Sequence, residues 1–199
     1  MAFPAARATL AREMYAQQPF PLRIVAAIVL IFLSCLPVAA QTAKLDALFA
    51  DLATADERQA VRIESDIWRE WSRSGSPAFD LLLERGRKAM EQGDYEVAIQ
   101  HLTALTDHAP EFAEGWNALA TAYFQNGDLG PSIEDIQRTL ALNPRHFGAL
   151  SGFGVILEEL DRPEQALAVY RAALAIHPRL QAVLDAVKRL EEKAAGQAL

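Results

Sequence analysis

The sequence has almost no cysteine and no surplus of positive charge. Its single cysteine, Cys35, lies in an apolar stretch near the N-terminus. If that stretch is removed, the remaining chain has no thiol, which excludes a disulfide framework, a cysteine zinc site and a cysteine nucleophile. The formal net charge is −7. Because an acidic chain repels nucleic acid and anionic membrane surfaces on average, we expect no nucleic-acid partner.

Motifs for catalysis, metal binding and cofactor binding are also missing from the sequence. The histidines, His101, His108, His146 and His177, form no i, i+4 pair and have no recurring spacing to a carboxylate. No serine lies in a G-x-S-x-G motif. Residues 152–154 (GFG) lack the third glycine and the preceding strand of a phosphate-binding loop. The sequence therefore predicts no enzyme, no metal site and no cofactor.

Residues 1–40 have the pattern of an export signal. Residues 24–33 are ten uninterrupted apolar residues, and Arg23 directly precedes them. Val38 and Ala40 are small residues of the kind that precede a cleavage point, here between Ala40 and Gln41. This pattern predicts a secretory signal peptide and an exported, periplasmic chain. Without residues 1–40 the chain has 16 basic and 25 acidic residues, a net charge of −9.

Three alternatives for this segment stay open. An uncleaved signal anchor would hold the domain at a membrane with its arginines inside, although the apolar core is shorter than the roughly 20 residues of a span. Cys35 could carry a lipid, but Phe32 and Leu33 do not fit the usual residues before a lipidated cysteine. Synthesis could also start at Met14. We expect membrane contact only if the N-terminal segment is uncleaved.

The same residue types recur at a constant spacing between residues 79 and 180. Three sets follow this register: Pro110, Pro144 and Pro178; Gly86, Ala120 and Gly154; and Ala98, Ser132 and Ala166. A period of about 34 residues indicates stacked copies of one unit, because a single unit cannot bury its apolar face alone. We expect the second set to lie where the two helices of a unit pack closely.

Each unit is predicted to contain two helices. In the middle unit, an apolar stripe begins at Trp116 and ends at residues 126–128 (NGD), where glycine suits the left-handed end of a helix. Asp128 is the predicted N-cap of the second helix, and Pro144 ends that helix. In the third unit, Asp161 and Glu164 are predicted to form an N-cap pair.

The pattern W-x2-L-G/A-x2-Y, followed by G, A/S and P within one period, resembles the tetratricopeptide repeat. Residues 113–146 match it best, through Trp116, Leu119, Ala120, Tyr123, Gly127, Ser132 and Pro144. In residues 79–112 Arg85 replaces a leucine, and in residues 147–180 Leu150 and Asp161 replace the tryptophan and the loop glycine. The resemblance implies an all-α fold, a right-handed α-solenoid of stacked helix pairs with flanking capping helices.

We divide the chain into four parts. Residues 1–40 are the signal peptide or anchor, 41–78 an N-terminal helical cap or degenerate repeat, 79–180 three tetratricopeptide repeats, and 181–199 a C-terminal capping helix and tail. In the second part, Leu45–Leu52 and Asp56–Arg73 are predicted helices. Trp68 and Trp71 share a face of the latter helix, so we expect them in the core or as an exposed anchor for a partner.

The resemblance also implies a binding surface. In the family, the second, fifth, ninth, twelfth and thirteenth positions of each repeat face a concave groove. These positions are Asp80, Leu83, Arg87, Met90, Glu91, Glu114, Asn117, Thr121, Phe124, Gln125, Gly148, Ser151, Val155, Glu158 and Glu159. The set has five acids, one base and four sizeable apolar residues. We expect a basic or amphipathic partner segment, and no clamp for acidic C-terminal tails, which needs several groove lysines and arginines.

The function predicted from the sequence is a non-catalytic repeat scaffold outside the cytoplasm that holds a peptide or protein segment in its groove. The alternative is a structural subunit of an envelope assembly or secretion complex. Such a subunit would show a large apolar patch, for example on Trp68 and Trp71.

Overall fold

The structure is a computed structural model that describes residues 42–197, with side chains up to residue 195. The predicted signal segment lies outside the described residues. The chain divides into two compact units, Met1–Lys44 and Leu45–Leu199. Of the first unit, only residues 42–44 are described. Within residues 42–197, no helix combines the length and the apolar character needed to cross a membrane.

Residues 42–197 contain nine helices and no strand, so the prediction of an all-α fold is confirmed. The helices are α1 over residues 42–54, α2 (Glu57–Trp71), α3 (Pro77–Glu91), α4 (Tyr95–His108), α5 (Ala113–Asn126), α6 (Leu129–Leu142), α7 (Phe147–Glu159), α8 (Pro163–Ile176) and α9 (Gln181–Gln197). Helices α3 to α8 form three consecutive pairs, one for each predicted repeat. The first helices of the pairs, α3, α5 and α7, are neighbours and form one continuous face.

The helix ends follow the predicted register, with one exception. Gly93 and Gly127 have φ angles of 76° and 88° after α3 and α5, and Asp161 has a φ of 54° at the matching position after α7. The N-cap of α8 is Arg162, so the predicted Asp161–Glu164 cap was wrong. The loop requires a left-handed residue at this position, and aspartate is among the few non-glycine residues that adopt that conformation at modest cost.

Asp128 is the N-cap of α6, as predicted, but its side chain does not cap the helix. Its carboxylate instead accepts a hydrogen bond of 2.7 Å from the Asn126 amide. The carboxylate of Asp94, at the same register position before α4, accepts from the Val97 backbone N–H at 3.4 Å. The two repeats therefore have an aspartate at the same N-cap position, but only Asp94 makes the side-chain capping bond.

Small residues allow the two helices of each pair to approach closely, as predicted. A Cβ atom on Gly86 would lie 2.5 Å from the Leu102 side chain, and a Cβ on Gly154 would overlap the ring of Tyr170. At the third position of this set, the backbone carbonyl of Ala120 accepts a hydrogen bond of 2.8 Å from the Ser132 hydroxyl. Each small residue thus faces a large or bonded side chain of its partner helix.

Three apolar clusters follow one another along the stack. The first joins α3, α4 and α5 around Leu102, the second joins α5, α6 and α7 around Ile136, and the third joins α7, α8 and α9 around Tyr170. Trp116 is partly buried against the first cluster, and its indole N–H donates to the Pro110 carbonyl at 2.9 Å. Helix α9 packs on α8 and closes the stack.

A fourth cluster attaches the N-terminal hairpin, which we define as residues 45–71 of α1 and α2. A capping box between Asp56 and Gln59 starts α2. The buried side chains of the hairpin, Leu52, Ile67 and Trp71 among them, cluster with Phe147 of α7. The pair of helices was predicted, but its attachment to the third repeat instead of the first was not.

Candidate protein-binding groove

The residues predicted to face the groove lie on the neighbouring helices α3, α5 and α7, where they line two depressions. The first, which we call the apolar pocket, lies between α5 and α7 and has a volume of about 120 Å³. Its lining residues are Asn117, Ala120, Thr121, Phe124, Ser132, Ile136, Gly148, Ala149, Gly152, Val155 and Ile156. The structure therefore brings together predicted residues from the second and third repeats.

The apolar pocket exists because α7 carries glycines on the side that faces α5. Gly148 and Gly152 are one turn apart, and a Cβ atom on Gly152 would meet nothing within 4 Å. Val155, one turn further along, is 40% exposed. Phe124 closes the opposite side from α5. A pocket with this lining suits one apolar side chain of a bound segment.

The second depression lies over α3 and is open and charged. It has a volume of about 430 Å³ and is lined by Ser72, Asp80, Leu83, Glu84, Arg87, Lys88 and Glu91. Leu83 is only 2% exposed and belongs to the first core cluster, against which Met90 is also packed. These two predicted groove residues therefore contribute mainly to the core.

Glu114 is the centre of a buried polar network at the start of α5. It is 2% exposed. One of its carboxylate oxygens accepts from the Arg87 guanidinium at 2.5 Å, and the other lies 2.9 Å from His146 Nε2. The Asn117 amide donates to both oxygens at 3.3 Å. A buried carboxylate needs such partners to offset its desolvation, so Glu114 and Arg87 satisfy each other instead of facing a ligand.

The hydrogen bonds of His146 assign its tautomer. Its Nδ1 atom accepts from the Ala149 backbone N–H at 3.0 Å, so the proton lies on Nε2, which donates to Glu114. His177, just after α8, has a similar arrangement, with the Arg179 backbone N–H at 3.3 Å from Nδ1 and Glu64 at 3.3 Å from Nε2. The bond from His177 lowers the pKa of Glu64 against the opposing effect of burial.

Glu158, another predicted groove residue, is bonded to the C-terminal end of the stack. It accepts two hydrogen bonds from Arg189 of α9, at 2.6 and 3.0 Å, and one from the Tyr170 hydroxyl at 2.8 Å. The bonds from Arg189 hold the pKa of Glu158 below its ordinary value despite its partial burial. Burial and the bond to Glu158 raise the pKa of Tyr170.

Most of the acidic side chains predicted for the groove are therefore hydrogen-bonded to other residues of the protein. Asp80 accepts from the backbone and hydroxyl of Ser74 at 2.8 and 2.6 Å, so it joins Glu114 and Glu158 as an internally bonded acid. Glu91 and Glu159 are exposed, as are Gln125 and Thr121, and Ser151 is half-buried. What the groove offers a ligand is mainly the apolar pocket, which Thr121 lines, together with exposed side chains elsewhere on its three helices, such as Glu91 in the charged depression.

Sequence reasoning missed the two histidine–glutamate pairs. His146 is fully buried and His177 is 1% exposed. The register contained a signal for His146, because positions 112 and 180, one period to either side, are phenylalanine and leucine. A polar residue at a position that is apolar in the other copies indicates a specific buried partner. Within residues 42–197, no three metal-ligating side chains converge on one point.

Comparisons with known proteins identify the repeat. The sequence profile of the tetratricopeptide repeat matches residues 83–134 and 132–180. A TPR repeat-containing protein of Rhizobium etli is 36% identical over 154 residues, which are 77% of this chain and 76% of that protein. The small glutamine-rich tetratricopeptide repeat-containing protein 2 of Saccharomyces cerevisiae is 27% identical over 117 residues. These are 59% of this chain and 34% of the yeast protein, so the chain spans about a third of that relative.

Solved structures have the same architecture. The first TPR of Spaghetti (RPAP3), bound to the HSP90 peptide SRMEEVD, superposes with a TM-score of 0.57 at 26% identity, over 60% of this chain and 95% of that one. The helix pairs, the repeat register and the similarity to the Rhizobium protein agree. The chain is thus a member of the tetratricopeptide repeat family, an all-α repeat scaffold for protein interaction.

Proposed function

We propose that this protein is a non-catalytic adaptor outside the cytoplasm, which holds a segment of another protein by inserting one apolar side chain into the pocket between α5 and α7. The observation that carries the proposal is the pocket itself, because Gly152 leaves open space beside the exposed side chain of Val155. A partner side chain that fills such a pocket is typical of the few residues that contribute most of the binding free energy.

The charge of the groove argues against acidic ligands. The Spaghetti domain was solved with the acidic peptide SRMEEVD. Here Arg87 is the one base among the predicted groove residues, and it is paired with Glu114. Glu91 and Glu159 remain exposed beside the groove. We therefore infer an amphipathic segment with an apolar anchor and basic flanking residues.

The pocket can be tested by filling it. Gly152→Leu directs a side chain into the pocket from a Cβ position that has nothing within 4 Å. Gly130→Leu is the matched control, since Gly130 lies in α6 outside the pocket and its Cβ position is equally open. Random peptides selected on the purified protein by phage display should share an apolar residue. Their affinity should fall roughly tenfold or more with Gly152→Leu and stay unchanged with Gly130→Leu. Equal binding to both variants would place the ligand elsewhere.

Export is a separate part of the proposal and rests on residues 1–40. The apolar run after Arg23 and the small residues before Gln41 support it. N-terminal sequencing of the protein from fractionated cells should find Gln41 first, in the periplasmic fraction. A product that begins at Met1 or Met14 and stays in the cytoplasm would rule out export.

The structure offers less support for an obligate structural subunit. The apolar patch expected of such a subunit on Trp68 and Trp71 is absent from the surface, because Trp71 is 7% exposed and Trp68 is packed in the same cluster. A soluble monomer in a measurement of molar mass would agree with the adaptor. Aggregation in the absence of a partner would favour the subunit.

A further inference from the structure

The N-terminal hairpin, residues 45–71, lies against the groove edge of the third repeat, although it is joined in sequence to the first. Its cluster includes Phe147 of α7. Ile176, the last residue of α8, and Leu180, in the loop after α8, pack at the periphery of the cluster. Residues 77–142 contribute no member to this cluster. The hairpin therefore reaches past two repeats instead of continuing the stack.

Two tryptophans of α2 form the aromatic part of this contact. Trp71 stacks on His146, with ring centroids 4.2 Å apart and planes 15° apart, and Trp68 lies edge-on to Phe147 at 5.7 Å. A Cβ atom on Gly148 would lie 2.5 Å from the Trp68 ring, so the ring needs a glycine at that position. Gly148 also lines the apolar pocket. The hairpin thus borders the pocket.

Polar contacts surround the aromatic ones. Arg145, just before α7, donates to Asp46 of α1 at 2.6 Å. Glu64 lies 3.3 Å from His177 and also accepts from the Trp68 indole at 3.3 Å. A contact surface that combines one exposed ion pair and a histidine–glutamate hydrogen bond with an aromatic centre resembles an interface between separable parts more than a core.

The linker allows separation. Residues 72–76 join α2 to α3 without helical structure, and Gly75 has a φ of 83°. The bonds from Ser74 to Asp80 hold the second half of this linker to α3. The hairpin can therefore leave the third repeat by rotation in the linker while the start of α3 stays in place.

We propose that α2 is a ligand carried by the chain itself, and that His146, Phe147, Gly148 and His177 form a receptor surface for an amphipathic helix with two aromatic residues three positions apart. The partner helix also carries a carboxylate four residues before the first aromatic residue, as Glu64 precedes Trp68, to bind the Nε2–H of His177. Such a helix displaces α2 and takes its place on this surface beside the pocket. The proposal does not rest on the adaptor function, because α2 itself serves as the probe.

The test uses a labelled synthetic peptide of residues 56–73 and the full chain. In the wild type the tethered α2 competes at an effective concentration of about millimolar, so the peptide binds weakly. In the full chain with Trp68→Ala and Trp71→Ala, the surface is uncovered, and fluorescence anisotropy should show binding at least roughly tenfold tighter. Equal affinity for the two chains, or binding to neither, would overturn the proposal.

Two controls identify the surface and the chemistry. Gly148→Leu in the double-variant background fills the space of the Trp68 ring and should abolish binding, whereas Gly130→Leu in the same background should not. A peptide in which both tryptophans are alanine should not bind. If that peptide binds as well as the original, the aromatic residues are not what the surface recognises.

Hydrogen exchange of the wild-type chain tests the same idea without substitutions. If α2 leaves as a unit, the amides of Glu57–Trp71 should exchange together and faster than those of Ala113–Asn126 in α5. An excess of unlabelled peptide should speed their exchange further, because it holds the hairpin off. If the amides of α2 exchanged as slowly as those of α5, α2 would be a permanent part of the core and the proposal would be wrong.

Discussion

Helices within the repeats approach each other through small residues, whereas the N-terminal hairpin is attached through large rings and polar side-chain contacts. Gly86 and Gly154 leave no room for a side chain between paired helices. Trp68 and Trp71 instead extend from α2 to reach His146 and Phe147. The first kind of contact recurs with the period of the repeat, and the second occurs at one place in the described part of the chain.

The two kinds of contact should differ in stability. Contacts between paired helices join residues close in sequence, such as Ala120 and Ser132, and each pair supports its neighbours. The hairpin contacts join residues as far apart as Glu64 and His177, separated by 113 positions. We therefore expect the hairpin to detach at lower denaturant concentration than the stack unfolds.

Phe147→Ala should separate the two regions with the largest effect. Phe147 is 1% exposed and contacts both Trp68 and Trp71. Removing such a buried ring lowers the free energy of unfolding by about 3–4 kcal/mol. In urea, the tryptophan fluorescence transition should then precede the loss of helical circular dichroism. Leu102→Ala in the stack cluster is the control, and it should lower the midpoint of the helical transition toward that of the fluorescence transition instead of separating the two. Coincident transitions in Phe147→Ala would show that hairpin and stack unfold as one.

Gly154→Val tests the close packing of the stack. The added side chain meets the ring of Tyr170, which is buried and has little room to move. We expect a loss of about 2–3 kcal/mol in the free energy of unfolding, the usual cost of overpacking. Gly152→Val, two residues earlier in the same helix, meets open space and should change stability far less. Similar losses in both variants would point to helix propensity instead of packing.

Glu114→Gln tests the network that lies between the two regions. The change keeps the shape but removes the charge that Arg87 and His146 share. We expect a loss of about 1–2 kcal/mol in the free energy of unfolding, since Arg87 loses a charged partner. Glu159→Gln, an exposed acid on α7, should stay within about 0.5 kcal/mol of the wild type. No difference between the variants would mean that the network adds little to stability.

Asp135→Asn should have a smaller effect of opposite sign. One carboxylate oxygen of Asp135 is buried without a hydrogen-bond partner among the described residues. Burial, and secondarily the charge of Glu134, raise the pKa of Asp135 from 3.8 to about 7. The folded state therefore holds the Asp135 proton between these values while the unfolded state releases it, so the contribution of Asp135 to stability falls as pH rises from about 4 to about 7.

The variant should remove that dependence. At pH 8 we expect Asp135→Asn to be about 1–2 kcal/mol more stable than the wild type, and at pH 4 about equal to it. Urea unfolding at both pH values makes the comparison. Glu134→Gln serves as the control and should reproduce only a small part of the effect. A stability difference between Asp135→Asn and the wild type that does not grow from pH 4 to pH 8 would contradict the assignment.

Local features of the sequence were enough to predict most of the stack. Gly127 and Pro144 mark helix ends because left-handed backbone and the restraint before proline are properties of single residues. The register at Gly86, Ala120 and Gly154 located the close contacts. Asp161 was misassigned because aspartate suits both an N-cap and a left-handed turn, and only the neighbouring backbone distinguishes them.

The site was less predictable than the fold. The predicted positions did lie on adjacent helices, yet Glu114 and Glu158 are bonded within the protein, to His146 and to Arg189. A repeat position gives the direction in which a side chain points but not the partner that it meets there. The pocket depended on two features together, the bare backbone of Gly152 and the position of Phe124 on another helix.

The repeat pattern thus carries enough information for helix pairs, their ends and their stacking, because these depend on backbone preferences and on contacts between successive elements. The place of the hairpin depends on a fit between α2 and a surface that is distant in the sequence, where Trp71 meets His146. No periodicity encodes such a contact. It arises from the shape and hydrogen bonds of the assembled stack, which becomes available only after the repeats have folded.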